Sequence, residues 1–383
     1  MPCGTLMKTG WTARPIQDRF TPTGKGTISL RRKASLPAPL GVVSAAPPAV
    51  KSSEKTFPVP VKYDKYVSIP PFHVFLPQAH LACEGYAARM NTTAFSSYFS
   101  AQGRAQLMQS IHLALDEDGP DLTTDGVFAP DVSMKASIVA KEQTLVVGLP
   151  LIPLVFEALG EHCQWVSVVR EGADVPAMTE VARIHASARA TLRAERIILN
   201  FISRLSGVAN VTRQYVSALE GTGVRLLDTR KTTPCLRWAE KYAVRMGGGM
   251  NHRRDLQEML MLKDNHIDAA GSITAAVEKL RAAYGAACPP IEVECRTLAH
   301  VREAVACRPA RIMMDNMDTA TLAEALPLVP AGIETEISGN VRLDTIRELA
   351  LSGSRRADFI SVGRLTHSAP AADFSMRLTT LPG

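Results

Sequence analysis

The sequence predicts an α/β protein in which a small α+β module precedes a longer alternation of strands and helices. Short strand-like runs recur in the second half of the chain, at residues 226–228, 259–262, 291–294, 312–314, 333–337 and 359–362. Helical stretches separate these runs, and each run ends in polar residues or glycine, as buried parallel strands do when functional groups lie at their carboxyl ends. The alternation favours an α/β barrel, and a doubly wound sheet is the alternative.

Composition restricts the class of protein. The 383 residues are 46% hydrophobic and 21% charged, which is typical of a globular chain, and the length predicts two domains. The longest apolar stretch, residues 145–156, contains Pro150 and Pro153 and is too short to cross a bilayer. We therefore expect no membrane partner. The seven cysteines show no zinc-binding spacing, so we expect free thiols in a reducing compartment.

The basic excess of the chain belongs to its first 89 residues. The whole chain carries +6, and residues 1–89 hold twelve Lys or Arg against four Asp or Glu, so this segment carries +8 and the remainder −2. The remainder is therefore not basic, and we expect no nucleic-acid partner. Residues 1–89 are rich in Pro and Ser and lack periodicity, which predicts disorder.

Three explanations of residues 1–89 remain open. The segment is poor in acidic residues, so it can be a transit peptide for a plastid or another organelle. It can equally be a flexible appendage. It can also be an artefact of a start codon assigned too early, in which case Met90 is the true start and the protein is expected in the cytoplasm.

The module before the alternation combines short strands with helices. Helical spacing marks residues 102–116 and 151–159, and 119–131 reads as a turn-rich loop. Strands are predicted at 135–141, 144–148, 165–169 and 181–188. A long helix at 194–219 then leads into the alternating region.

Residues 226–268 concentrate the polar groups. Asp228 and two cations follow the first apolar run, and Thr233 with Pro234 predicts the start of a helix. Three glycines, 247–249, precede a predicted second helix that begins near two further potential cations. Another Lys ends the next run. Cations that converge in this way need an anionic ligand to offset their repulsion. The potential cations are Arg230, Lys231, His252, Arg253 and Lys263.

Three motifs in this region carry a resemblance to a known family. The runs DTRKTTP, GGGMNHR and KDNHI resemble those of the quinolinate phosphoribosyltransferases, and the similarity extends from about Met90 to the C-terminus. The resemblance implies an N-terminal α/β open sandwich over residues 90–200 and an incomplete TIM-like α/β barrel over 201–365. The tail, 366–383, is expected to pack back on the first domain.

The family resemblance also implies an activity. Quinolinate and phosphoribosyl pyrophosphate would be converted to nicotinate mononucleotide, pyrophosphate and carbon dioxide, with magnesium as cofactor, in NAD biosynthesis. The implied assembly is a homodimer with shared active sites, in which Arg196 reaches the substrate of the partner subunit. Arg230, His252, Arg253 and Lys263 would hold the two carboxylates.

Further roles follow from the same resemblance. Lys231 would face a phosphate, and Lys263, Glu294 and Asp315 would be catalytic. Glu294 and Asp315 would face the ribose and, indirectly, the magnesium ion. The remaining phosphate-binding residues would lie after the last strands: Ser338, Gly339, Asn340 and Gly363.

The sequence departs from the family pattern at two glycine positions, which hold Asn340 and Cys235. Asn tolerates the left-handed region, so the phosphate loop is expected to keep its geometry. Three other functions remain possible from the residues. They are a nicotinate phosphoribosyltransferase of the same fold, a barrel lyase that uses Lys263 as a Schiff base, and a non-catalytic anion-binding module.

Overall fold

A computed structural model describes residues 95–380, with the side chain of the last of these left aside. The predictions about residues 1–89, about Met90 and about the last three residues lie outside this range.

The first half forms an antiparallel sheet covered by helices. Its strands run in the order β12-β1-β5-β3, and β12, from the C-terminal tail, pairs antiparallel with β1 at the edge. β2 and β4 form a separate two-stranded sheet. The bounds are α1 Ala101–Asp118, α2 Leu122–Val127, β1 Ser133–Ala140, β2 Thr144–Leu145, α3 Ile152–Ala158, β3 Gln164–Ser167, β4 Asp174–Val175, β5 Thr179–Ser187 and β12 Phe374–Thr380.

The predicted loop at 119–131 is wrong in part, because it contains α2. Asp121 caps this short helix by accepting a hydrogen bond from the backbone N–H of Thr124 at 2.9 Å. The Asp side chain satisfies one of the unpaired N–H groups of the first turn, which stabilises a helix that its own Gly and Thr residues disfavour.

A 31-residue helix, α4 (Ala188–Ala218), connects the two halves. It begins six residues earlier than predicted, because Ser187 caps it by accepting from the N–H of Ala190 at 3.1 Å. Apolar side chains at helical spacing, such as Ile198, Leu205 and Val208, are fully or almost fully buried along it. The helix packs against strands of the first half and against helices of the second.

The second half is a six-stranded parallel sheet in the order β6-β11-β10-β9-β8-β7. The first strand of the series pairs with the last, so the sheet curls into a barrel, and the doubly wound alternative is wrong. The strands are β6 Arg225–Leu227, β7 Leu260–Leu262, β8 Ile291–Cys295, β9 Arg311–Asp315, β10 Glu334–Ser338 and β11 Phe359–Ser361. The helices are α5 Arg237–Met246, α6 Asp264–Ala270, α7 Ile273–Tyr284, α8 Leu298–Cys307, α9 Thr319–Ala325, α10 Ile346–Ala350 and α11 Arg364–His367.

The barrel is open between β6 and β7, which are not paired with each other. Met250 partly fills this gap: its N–H donates to the carbonyl of Leu226 at 2.8 Å, and its carbonyl accepts from the N–H of Asp228 at 3.0 Å. The predicted fold class, an antiparallel α+β module followed by an incomplete barrel, is confirmed.

Two predicted helix starts in the second half are wrong. The helix expected at Thr233 begins at Arg237, because Thr233 instead donates its hydroxyl to the buried carboxylate of Glu240 at 2.6 Å. The second helix, expected directly after Arg253, does not form, because residues 254–259 are bends that lead into β7. Among the described residues, no helix is both long and apolar enough to cross a membrane.

Candidate active site

The parallel strands deliver their carboxyl ends to one mouth of the barrel. Asp228 follows β6, Lys263 follows β7, Asp315 and Ser338 end β9 and β10, and Gly363 lies two residues beyond β11. Because every strand of this sheet points the same way, these residues meet at one edge even though they are up to 135 positions apart in sequence.

Two arginines from different loops approach each other at this mouth. Burial and then the charge of Arg230 lower the pKa of Arg253, and the same two causes lower the pKa of Arg237. The buried Nε of Arg230 has no hydrogen-bond partner among the described residues. Arg253 is held in place because it donates to the carbonyl of Met259 at 2.8 Å. The guanidinium groups of Arg230 and Arg253 therefore form a concentrated positive site, which an anion would stabilise.

Lys263 and Glu294 form an ion pair beside this cluster. The Nζ of Lys263 lies 2.9 Å from Oε2 of Glu294 on the neighbouring strand, and Lys263 is about half exposed while Glu294 is nearly buried. Asp264, the next residue along the chain, pairs with Arg296. The mouth thus contains a paired cation whose ammonium can exchange its carboxylate partner for another anion.

Asp315 begins a chain of polar contacts across the mouth. Its Oδ2 accepts from Nδ2 of Asn316 at 2.9 Å, and Oδ1 of Asn316 accepts from Nδ2 of Asn340 at 2.9 Å. Gly339 has φ +92°, and a Cβ there would overlap the Asn316 amide, so only glycine fits. Asn340 follows in the left-handed region with φ +50°, which Asn tolerates.

Lys231 and Gly363 lie together on the other side of the mouth. The carbonyl of Lys231 accepts from the Thr366 hydroxyl at 2.7 Å, and a Cβ on Gly363 would come within 3.0 Å of the Lys231 side chain. Cys235, farther along the same loop, adopts φ +65°, a conformation that normally selects glycine. Its side chain is exposed.

His252 is turned away from the mouth, toward the barrel interior. Its Nδ1 accepts from the N–H of Arg253 at 2.7 Å, and its Nε2 lies 3.0 Å from Glu292 and 3.4 Å from Glu336. Burial raises the pKa of both carboxyl groups to about 7 and lowers the pKa of His252. Arg311 donates to Glu336 at 2.9 Å and so already places a cation in the cluster.

A fully buried ion pair anchors the loop that carries His252. Nζ of Lys241, on α5, lies 2.5 Å from Oδ1 of Asp228 and donates to the carbonyl of His252 at 2.9 Å. Oδ1 of Asp228 also accepts from the N–H of His252 at 2.8 Å. Burial raises the pKa of Asp228 and lowers that of Lys241, and each is partly opposed by the charge of the other.

Two models of protein families match the chain. The N-terminal domain of quinolinate phosphoribosyl transferase matches residues 121–206, and the C-terminal domain of the same enzyme matches residues 208–377. The chain belongs to the quinolinate phosphoribosyltransferase family.

Curated relatives and solved structures agree with this assignment. A probable nicotinate-nucleotide pyrophosphorylase [carboxylating] of Bacillus subtilis is 41% identical over 269 residues, which are 70% of this chain and 91% of the relative. A chloroplastic nicotinate-nucleotide pyrophosphorylase [carboxylating] of Oryza sativa is 36% identical, covering 70% of this chain and 77% of that protein. NadC from Streptococcus pyogenes has a TM-score of 0.67 at 39% identity, covering 72% of this chain and 98% of that structure.

The structure brings together most, but not all, of the residues proposed from the sequence. Most of them surround the barrel mouth: Arg230, Lys231, Arg253, Lys263, Glu294, Asp315, Ser338, Gly339, Asn340 and Gly363. Nε2 of His252 faces the interior. Arg196 lies on an exposed part of α4, and no hydrogen bond or ion pair joins it to this group within residues 95–380.

Sequence reasoning missed several residues that hold the site. Lys241 sits on the buried face of α5, where its neighbours Tyr242 and Ala243 are apolar, and a Lys in such a pattern was the available signal. Glu240 accepts from both Arg204 and the Thr233 hydroxyl, which fixes the loop before α5. Arg204 lies 36 positions from Glu240 in the sequence and Thr233 lies 7 positions from it, so only the fold reveals the contact with Arg204.

The two carboxylates at the mouth fit the magnesium that the family implies. Glu294 and Asp315 each use Oε2 or Oδ2 for a neighbouring side chain. Within residues 95–380, the second oxygen of each carboxylate accepts no hydrogen bond from a neighbouring residue. Carboxylates of this kind suit a magnesium ion that keeps several waters.

Proposed function

We propose that the chain is a decarboxylating pentosyltransferase that converts quinolinate and phosphoribosyl pyrophosphate to nicotinate mononucleotide, pyrophosphate and carbon dioxide. The observation that carries this proposal is the group of cations at the barrel mouth, where the charge of Arg230 acts on Arg253 beside the ion pair of Lys263 with Glu294. A substrate with two adjacent carboxylates would neutralise this group of cations better than a substrate with one.

The chemistry needs positioning and electrostatic stabilisation and no protein nucleophile. The ring nitrogen of quinolinate attacks the anomeric carbon as the bond to pyrophosphate breaks. The ring is then cationic, so it draws in the electron pair of the bond to the 2-carboxylate, carbon dioxide leaves, and a proton replaces it on the ring carbon. Magnesium, when bound, neutralises charge on the departing pyrophosphate.

The carboxylate side of the pocket is assigned to three cations. Arg230 and Arg253 can each form two parallel hydrogen bonds with a carboxylate, and Lys263 supplies a point charge once Glu294 releases it. The partner subunit's Arg196 completes the group in a homodimer with shared sites, since Arg196 is exposed on α4 and available to a second copy. His252 supports this group from below, through Arg253, because its imidazole faces the interior.

The ribose and phosphate side lies opposite. Glu294 and Asp315 are assigned to the ribose hydroxyls and would hold the magnesium ion indirectly, and both can stabilise the positive charge that develops on the anomeric carbon. Lys231 faces a phosphate. The turn of Ser338, Gly339 and Asn340 and the backbone near Gly363 supply the remaining phosphate contacts, as late strands do in other barrels.

A product assay tests the proposal directly. The full chain, incubated with quinolinate and phosphoribosyl pyrophosphate, should release carbon dioxide and pyrophosphate in equal amounts with magnesium present, and much more slowly after chelation. Nicotinate, which lacks the 2-carboxylate, is the control substrate. Comparable specificity constants for the two acids would contradict the dicarboxylate assignment and favour a nicotinate phosphoribosyltransferase.

A second assay separates this function from a lyase. Borohydride treatment with a carbonyl substrate would label Lys263 covalently if it formed a Schiff base, and we expect no label.

The compartment follows from residues 1–89: we propose the cytoplasm if translation begins at Met90, and a plastid or another organelle if the segment is a transit peptide. Tagging the full chain in its source cells distinguishes the two.

A further inference from the structure

An aromatic cluster attaches the start of the described chain to the catalytic barrel. Residues 95–98 are helical and precede the part of the chain that matches the family models. The rings of Phe95, Tyr98 and Phe99 pack against Tyr242 on α5, with centroid distances of 5.3–5.5 Å. Tyr98 also meets Trp238 edge-on at 6.2 Å. This packing fixes Tyr98 against α5.

The hydroxyl of Tyr98 makes a specific bond inside this cluster. It donates to Oδ1 of Asn251 at 3.2 Å. Burial raises the pKa of the phenol, so the hydroxyl keeps its proton and acts as a donor. Nδ2 of Asn251 donates in turn to Oδ2 of Asp228 at 2.8 Å and to the carbonyl of Lys241 at 2.9 Å. Every polar atom of the Asn251 amide is thus engaged, and its orientation is determined.

The Asn251 amide is directly connected to the loop that binds substrate under the proposed function. Asn251 is followed by His252 and Arg253, and the backbone of His252 is held on both sides by Asp228 and Lys241. Met250 precedes Asn251 and pairs with β6, and the three residues before it, 247–249, are glycines that contribute no side chains. Beyond the pairing of Met250, the orientation of this loop depends on the polar network that ends at Tyr98.

We propose that Tyr98 is a positioning residue for the dicarboxylate substrate: its hydroxyl orients the Asn251 amide and so fixes the loop that presents Arg253. This inference rests on the proposed function for the identity of the substrate. Loss of one such hydrogen bond should weaken substrate capture by about three- to tenfold. The phosphoribosyl pyrophosphate side of the mouth, built from other strands, should not respond.

The test compares two variants that each remove one hydroxyl from the same aromatic cluster. Tyr98→Phe removes the bond to Asn251. Tyr242→Phe removes the bond to Glu171, 3.1 Å away and outside the loop network. We expect Tyr98→Phe to raise KM for quinolinate about three- to tenfold, with kcat and KM for phosphoribosyl pyrophosphate near wild type. Tyr242→Phe should lower the unfolding midpoint and leave KM for quinolinate unchanged.

A third variant tests the route through Asn251. In an Asn251→Ala background, adding Tyr98→Phe should change KM for quinolinate by less than about twofold, because the linking amide is gone. A full Tyr98→Phe effect in that background would overturn the inference. So would an unchanged KM in Tyr98→Phe alone, or equal changes in both KM values. Absence of turnover in the wild-type enzyme would instead contradict the proposed function, and the affinity for quinolinate measured by calorimetry would then replace KM.

Discussion

Replacing Lys241 by Met should destabilise the protein severely, because it breaks a completely buried ion pair. Both Lys241 and Asp228 have side chains with 0% exposure, and their charged atoms lie 2.5 Å apart. Met is apolar and similar to Lys in length, so the substitution removes the charge and preserves most of the packing. The Asp228 carboxylate then keeps only its hydrogen bonds from the N–H of His252 and from the Asn251 amide. Leaving one partner of a buried pair uncompensated costs about 3–5 kcal/mol.

The expected change is measurable in two ways. A protein of this length shifts by about 2 °C per kcal/mol, so the unfolding midpoint of Lys241→Met should fall by about 6–10 °C at fixed protein concentration. Urea unfolding followed by the fluorescence of Trp238, next to the site, gives the free energy of unfolding independently. The double variant with Asp228→Asn should be more stable than the sum of the two single changes by at least about 1 kcal/mol.

An exposed pair provides the control. Arg104 and Glu157 lie 2.8 Å apart, but their side chains are 49% and 56% exposed. Arg104→Met should therefore change the free energy of unfolding by only about 0–1 kcal/mol. If Lys241→Met were no more destabilising than Arg104→Met, the reasoning that desolvation makes the buried pair costly to break would be refuted.

Three further predictions concern the mouth and the interior. Arg253→Lys should raise KM for quinolinate about tenfold or more while binding of phosphoribosyl pyrophosphate is kept, because an ammonium cannot reproduce two parallel hydrogen bonds; steady-state kinetics measure both. Mixing the inactive variants Arg196→Ala and Lys263→Ala should restore activity, since mixed dimers contain one site with neither defect. Burial raises the pKa of Glu336 from 4.5 to about 7, so the folded state binds the proton more tightly than the unfolded state does. The free energy of unfolding should therefore decrease as the pH rises from about 4.5 to 7. Glu336→Gln should flatten that fall.

Each of these three has a contradicting outcome. Equal loss of both substrates in Arg253→Lys would indicate general damage to the mouth. Tagged heterodimers that form and stay inactive would refute a site shared between subunits. The stability of Glu336→Gln should be compared with that of Glu157→Gln, an exposed carboxylate, by urea unfolding from pH 4.5 to 7.5; parallel curves for the two variants would show that the buried carboxyl does not titrate in this range.

The barrel strands were predictable because their burial leaves a local signal. Runs such as 291–294 and 312–314 hold apolar residues and lead into charge, and the structure places β8 and β9 within one residue of them at each end. The closure of the barrel left no such signal, since it depends on the pairing of Ile360 with Leu226, 134 positions apart. The bends after Arg253 were also unpredictable, because the capped helix expected there is overridden by the bonds of His252 to Asp228 and Lys241.

The chemical types of the site residues were readable from the sequence, and their orientations were not. Alternation along IEVE puts Glu292 and Glu294 on the same face of the strand, and this spacing does not say which of them the barrel interior holds. The structure buries Glu292 and leaves Glu294 at the mouth. That His252 would join Glu292 in the interior depends on Glu336 and Arg311, which belong to two other strands. Sequence spacing carries no information about such contacts between strands.

The interior cluster explains how the cations at the mouth are tolerated before any substrate binds. Burial of Arg253 and then the charge of Arg230 lower the pKa of Arg253. The first influence that opposes them is the carboxyl of Glu292. In return, Arg253 and Lys263 help to keep the pKa of Glu292 from rising further. A barrel filled only with apolar side chains would leave the cations at its mouth without this support, and an uncompensated buried charge is costly. The acidic interior and the basic mouth are therefore two parts of one arrangement, and the mouth stays basic enough to attract an anionic substrate.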